Sequence, residues 1–353
     1  MALGRLVCAI SFAVLVPVLP LAAVPSALHE ASALAARHRR APSGAHSRAK
    51  AKPKSSSHRA QSRSVPVYTR SGQPNIQAHA ALILDLGAGG VPLYQKNPDE
   101  VRPIASISKL MAMLVVIEHK LDLTAKTTIT AADAKLTTRG AKSRLLVGMT
   151  LTNLDLLHAA LMASDNRAVL ALGRSVGLEP AAFAAAMTAR ARTLGLKKTN
   201  FADPTGLDYR NVSTPREVIA MLQAALAKPL IAGIVRTTGH VAHSLTRPRG
   251  DVEYSNTDLL LRGSKHHIHG GKTGYNDRAG YCFVVAARVL GGPGAGPGAA
   301  AKAREVAMVF LGEEGKLTRF ADFDRAAQWL VERAPPARAM TQSASASSGP
   351  PLL

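Results

Sequence analysis

The chain has 353 residues, 47% of them apolar, enough to bury a sizeable core in one large domain or two small ones. Its formal net charge is +21, but every charged residue between Arg37 and Arg70 is Lys or Arg, so much of the basicity belongs to a tail and says little about the fold. Two cysteines, Cys8 and Cys282, are too few for a zinc ribbon, and with Cys8 in a targeting segment Cys282 is left without an intrachain disulfide partner.

The amino terminus predicts a signal peptide over residues 1–33. Arg5 supplies the positive start, Leu6 to Val24 is an uncharged apolar run, and Ala31-Ser32-Ala33 offers small residues for cleavage. The competing reading is a retained membrane anchor, because the apolar run is close to spanning length. Either way the remainder is expected outside the cytoplasm, in the periplasm or cell envelope. Residues 34–75 are rich in Arg, Lys, Ser, Ala, His and Pro without apolar periodicity, which predicts a disordered basic linker. Such a segment is a solvated spacer or a tether to anionic wall polymer or membrane surface. Nucleic acid is a poor partner, since only Tyr68 interrupts the basic residues as an aromatic.

A domain is expected over residues 76–334, followed by a disordered tail over 335–353. Ala80 to Leu86 and Val91 to Gln95 read as a hairpin around Gly89-Gly90. Ser106 to His119 carries apolar residues at helical spacing. Asn153 to Ala163 and Arg167 to Val176 form a helical pair. Glu179 to Leu194 is a helix closed by Gly195, and Pro215 to Leu226 one opened by Ser213-Thr214. Strands return at His240 to Leu245, Ile268 to Thr273, Gly280 to Leu290 and Glu305 to Leu311, with a Gly/Pro/Ala-rich loop, Gly291 to Ala300, before the last. Phe320 to Glu332 is a closing helix in which Trp329 is core. Strands first and last, with helices between, predict an α/β (α+β) domain whose two ends contribute to one antiparallel sheet beside a helical subdomain.

Three short motifs carry chemistry. In Ser106-Ile107-Ser108-Lys109 the helical spacing lets Lys109 reach the Ser106 hydroxyl, and a serine needs such a base to act as a nucleophile. Alone the motif is weak; Ser47-Arg48-Ala49-Lys50 in the linker repeats it by chance. Ser164-Asp165-Asn166 alone reads as a helix N-cap. Lys272-Thr273-Gly274, after Gly270-Gly271, alone reads as a strand end where small residues let another backbone approach. His267 and His269 share a strand face in Lys265-His266-His267-Ile268-His269, but without an acid nearby in sequence a solvated or cleft-lining strand is expected rather than a metal site.

In this order and placement the three motifs resemble the penicillin-recognising serine enzymes, DD-peptidases and class A β-lactamases among them. The resemblance runs from about Ala80 to Leu330. It is similar to the low-molecular-mass DD-peptidases in Pro103-Ile104-Ala105, Asp203-Pro204-Thr205-Gly206-Leu207, Asn211-Val212-Ser213-Thr214, Ser255-Asn256-Thr257 and Ala279-Gly280. It implies a β-lactamase/transpeptidase-like fold and hydrolysis of D-alanyl bonds in peptidoglycan peptides, with β-lactams as inhibitors and a place in cell-wall biogenesis and cell shape. No cofactor and no metal are implied. Ser106 would be acylated, Lys109 would be its base, and Ser164 would pass a proton to the leaving amine. Asn166 and Gly274 would meet the substrate backbone, and Lys272 and Thr273 would bind the terminal carboxylate. Lys272 would also push the Lys109 pKa down. The amides of Ser106 and Tyr275 would form the oxyanion hole, and Arg319 stands where related carboxypeptidases place a carboxylate-binding Arg.

A class A β-lactamase would need a water-activating Glu before Leu-Asn; Glu179 and Glu217 lack that context. A wall-binding pseudoenzyme is the other alternative, since motifs do not prove turnover. The residues after Ala334 are too few for the β-rich second domain and amphipathic anchor common among the carboxypeptidases. That resembles the penicillin-binding protein 7 type of DD-endopeptidase.

Overall fold

The computed structural model describes residues 65–246, 250–290 and 303–332. The expected signal peptide, most of the basic linker, the loop Gly291 to Ala300 and the tail lie outside the described residues.

The chain enters through β1 (Ala80–Asp85), β2 (Val91–Lys96) and the short β3 (Arg102–Pro103), then a 3-10 turn, Ala105–Ser108, leads into α1 (Lys109–Glu118). The middle holds β4 (Lys126–Thr128), α2 (Ala131–Leu136), β5 (Thr150–Thr152), α3 (Asn153–Leu161), α4 (Asn166–Ser175), α5 (Pro180–Thr193), β6 (Val212–Ser213), α6 (Pro215–Leu226) and α7 (Pro229–Arg236). After β7 (Gly239–Ala242), β8 (Val252–Ser255) and α8 (Leu260–Gly263) come β9 (His267–Asn276), β10 (Gly280–Val289), β11 (Arg304–Glu313) and α9 (Thr318–Glu332).

Five strands form an antiparallel sheet in the order β2-β1-β11-β10-β9. The first strand therefore pairs with the last, Ala80 opposite Leu311 and Asp85 opposite Val306. The strand period of two sends alternate side chains to opposite faces. Leu82, Val284 and Val309 face the helical layer, while Ile83, Val285 and Met308 face α9, where Phe323 and Trp329 are buried. Both faces are covered, which is why β1, β10 and β11 read as nearly unbroken apolar runs. α1 is apolar on all sides and buried from Lys109 to Val116, as a helix at the centre of a core must be.

Three expectations change. The helix predicted from Ser106 begins one turn later, because residues 105–108 are 3-10 and Ala105 takes a left-handed φ of 46°. The linker predicted to run to residue 75 ends by 64: Thr69 N donates to Gln73 O at 2.9 Å, Asn75 N donates to Val67 O at 2.9 Å, and Tyr68 packs on the α9 face of the sheet. A turn of this kind is held by its partners rather than by apolar periodicity. The strand expected over His240 to Leu245 stops at Ala242, within a two-stranded ribbon with β8.

The loop between α5 and β6 is knitted by two side chains. The Asp203 carboxylate accepts from the amides of Thr205, Gly206 and Asp208. Asn211 accepts from Ala202 N and donates to Ser108 Oγ, joining the loop to the start of α1. Gly206 has φ +85°, and a Cβ there would lie 2.1 Å from Ala105 O. Gly206→Ala should therefore cost at least about 2 kcal/mol, from the left-handed backbone plus the clash. Urea unfolding should show a lower midpoint, and penicillin acylation should fall with it; an unchanged midpoint would mean that the loop does not press on the nucleophile's turn.

Candidate active site

The three motifs meet at one end of the sheet. Ser106 sits half-buried on the 3-10 turn that enters α1. Behind it Lys109 is fully buried, and its Nζ lies 2.8 Å from Ser106 Oγ, 2.7 Å from Asn166 Oδ1 and 2.5 Å from Thr205 O. The last two groups can only accept. A neutral Lys109 spends its two N–H bonds on them, and its lone pair is left facing the one neighbour that can donate, the Ser106 hydroxyl. The geometry thus orients the amine as a base.

Burial pulls the Lys109 pKa down to about 7, against the opposing charges of Asp203 and Asp165. The expectation that Lys272 is what depresses it gives way to desolvation as the main cause. The repulsion between the two lysines is felt at Lys272, which burial first, then Lys109 and Arg319, hold well below its usual range.

Ser164 and Asn166 flank Asp165, and the plain N-cap reading is right for Asp165 alone: its carboxylate accepts from the amides of Arg167 and Ala168 and so opens α4. Ser143 Oγ donates to the same carboxylate. Held this way, Ser164 adopts a left-handed φ of 62°, and both it and Asn166 line the cleft.

On the opposite wall, Lys272, Thr273, Gly274 and Tyr275 belong to β9. A Cβ on Gly274 would lie 2.8 Å from Ile104 O and 3.2 Å from Ser106 N, so only glycine lets β9 lie against the nucleophile's turn. Lys272 is buried, and its Nζ donates to Thr273 O at 2.9 Å. Thr273 Oγ1 donates to Thr257 Oγ1 at 2.7 Å, and Thr257 N donates to Met162 O at 3.1 Å, tying β9 to the turn that carries Ser164. Arg319, in the first turn of α9, is buried, donates from Nη1 to Gly274 O at 3.1 Å, and lies near the rings of Tyr281 and Phe320. All nine residues singled out in the sequence gather at this end of the sheet. Thr257, Tyr281 and Asn211 gave no signal by spacing; Thr257 and Asn211 lay in stretches noted only for their resemblance.

The site opens into a cleft of about 1070 Å³. Asp277 is its one acidic lining residue among the described residues. The histidine run stays outside it. His266 Nδ1 accepts from Leu290 N, and His269 does have an acidic neighbour, Glu305, at 2.7 Å. Glu305 also accepts from Arg288. No group of three or more His, Cys, Asp or Glu that could hold a metal occurs among the described residues.

Residues 67–291 match the S11 peptidase family, described as D-alanyl-D-alanine carboxypeptidase. The chain belongs to this family. It is 35% identical over 262 residues to a D-alanyl-D-alanine endopeptidase of Escherichia coli (strain K12), covering 74% of this chain and 80% of that one. A D-alanyl-D-alanine endopeptidase of Pseudomonas aeruginosa (strain PAO1) is 36% identical, over 73% of this chain and 78% of its own. The crystal structure of the Streptomyces K15 DD-transpeptidase superimposes with a TM-score of 0.64 at 27% identity, over 73% of this chain and 98% of that one. This S11 chain is a serine DD-peptidase with the transpeptidase-like fold.

For this S11 peptidase, an isosteric change tests the expectation that Lys109 is the base. Asn166→Asp places a carboxylate where an amide oxygen now sits 2.7 Å from Lys109 Nζ. An opposite charge at that distance raises an amine's pKa by roughly 1–3 units. Acylation needs the neutral amine, so its rate should rise with pH through about 7 in the native chain. In Asn166→Asp the limb should move to higher pH, with activity near neutrality at least about tenfold lower and partly recovered in alkali. A limb that stays in place would remove Lys109 as the titrating base.

Proposed function

We propose that this S11 peptidase is an exported DD-endopeptidase that cuts D-alanyl cross-links in peptidoglycan. The observation that carries the acyl-transfer chemistry is the Lys109 amine, 2.8 Å from Ser106 Oγ with both other partners restricted to accepting. Ser106 Oγ attacks the D-alanyl carbonyl while its proton passes to Lys109. The amides of Ser106 and Tyr275 receive the oxyanion, a contribution of about 3 kcal/mol per donor. Ser164 hands a proton to the departing amine, and Asn166 holds the substrate backbone. Lys272, Thr273 and Arg319 receive the carboxylate beside the scissile bond. Water then releases the acyl group from Ser106.

Two observations support the endopeptidase reading. Two relatives that exceed one-third identity over most of their length are named endopeptidases. The cleft also runs well past the nucleophile, with Tyr209 on one side and Leu317 on another, both exposed, which leaves room for a second peptide. Digestion of purified cross-linked wall, read by mass spectrometry, should convert dimeric muropeptides to monomers. Loss of terminal D-alanine from pentapeptides with dimers untouched would make the enzyme a carboxypeptidase instead. In the same preparation, Ser106→Ala should take up no penicillin by intact mass, while Ser47→Ala labels normally. The native adduct should be long-lived, because neither Glu179 nor Glu217 lines the cleft; rapid loss of the adduct would point to a β-lactamase.

The basic segment before residue 65 fits a tether to anionic wall polymer or membrane surface, with nine Lys and Arg from Arg37 to Arg63 and no acid among them. Removing residues 1–64 should leave the acylation rate unchanged and reduce pelleting with isolated wall at low salt. Equal pelleting at every salt concentration would assign that segment to spacing alone.

A further inference from the structure

Lys272 is 1% exposed, and the basic groups around it all oppose its charge: Lys109 at the head of α1 and Arg319 on α9. Its ammonium donates to a neutral carbonyl, that of Thr273. A cation meant to receive a carboxylate has to be charged before the carboxylate arrives. One acid stands beside it. Asp258, also 1% exposed, lies in the segment between β8 and α8. Its Oδ1 accepts from Leu260 N at 3.0 Å, and its amide donates to Asn256 Oδ1 at 2.9 Å, which fixes the side chain. Its Oδ2 has no hydrogen-bond partner among the described residues. A Cβ on Gly271, the residue before Lys272, would lie 3.1 Å from that oxygen, so the free edge of the carboxylate is turned toward β9.

We propose that Asp258 is the positioning residue that keeps Lys272 cationic, and so sets the pH range over which the site accepts a carboxylate-bearing substrate. Asp258 acts through Lys272 rather than on the substrate. A buried carboxylate with an unspent oxygen is costly by itself and is stabilised by a neighbouring cation. The interaction runs both ways: Asp258 is the one group that raises the Lys272 pKa, and Lys272 and Arg319 are the two charges that lower that of Asp258, which burial lifts to about 6. Arg319 is held by other contacts, its bond to Gly274 O and the rings of Tyr281 and Phe320. For an opposing charge Lys272 has Asp258 alone.

The inference rests on the reading of Lys272 as a carboxylate-binding cation, and the test separates the two. Second-order acylation of Ser106 is measured against pH with benzylpenicillin, which carries a carboxylate, and with its methyl ester, which does not. In the native chain the penicillin profile should have an alkaline limb that the ester lacks. Identical profiles would overturn the reading of Lys272 itself. Asp258→Asn keeps the shape and the bond from Leu260 N but removes the charge. Its alkaline limb with penicillin should move down by about one pH unit, a tenfold loss above the limb, while the ester is acylated as before. An unmoved limb would overturn the inference. An equal loss with both compounds at every pH would do so too, by making Asp258 a support for its loop and nothing more. Lys272→Arg, whose guanidinium stays charged over this range, should show no such limb with Asp258 or with Asn in its place. A limb that persists there would assign the titration to another group.

Discussion

The structure depends on keeping an amine dry. Lys109 has an ordinary pKa near 10.5 in water and one of about 7 here, so its ammonium form is disfavoured by on the order of 5 kcal/mol in the folded chain. Because the folded pKa is lowered, that cost is fully present below pH 7 and vanishes above the unfolded value, as the amine becomes neutral in both states. The fold bears it through the layer around α1, whose residues from Lys109 to Val116 are all buried. An amine that can be neutral near pH 7 is thus obtained by desolvation, and the hydrophobic core sets its proton affinity.

The site is assembled from segments far apart in the chain, and each junction uses the smallest group that fits. Gly274 brings β9 to the nucleophile's turn, and Gly206 brings the Asp203 loop to the same turn. Thr257 spans from β9 to the turn after α3. The backbones of Ala105, next to Ser106, and of Ser164, which lines the cleft, are both left-handed. Non-glycine residues persist in that region only where their surroundings over-determine them. Gly206 and Gly274 lie against the turn at Ala105, and the bonds of the Asp165 carboxylate hold the turn that carries Ser164.

The sheet, the long helices and the three motifs were legible because each has a local cause: strand alternation, helical spacing, caps such as Thr214 on Glu217 N, and glycine at a strand end. Trp329 was correctly read as core for the same reason. What escaped has no local cause. α2 is one capping box, Thr130 with Asp133, followed by a single turn and a half. α7 opens on Pro229 without a side-chain cap and is held by packing of Ile231, Ile234 and Val235. The turn at residues 65–75 is polar and depends on α9 for its place. The electrostatics were legible only in outline: two lysines could be set in one site from sequence, but which of burial or repulsion governs Lys109 required knowing what surrounds it.

The arrangement of the sheet has a consequence for how the chain comes to be folded. β11 lies between β1 and β10, so it joins the first strand, at Ala80, to one opposite it at Leu311. Until β11 is available, β1 and β10 each present an unpaired edge, and the sheet exists as two separate hairpins. Contacts so distant in sequence form slowly, because the loop must close before they return any stabilisation. A chain cut short before β11 would keep the three motifs but lose Arg319 and the strand that joins the two halves of the sheet, leaving sticky edges in place of an enzyme.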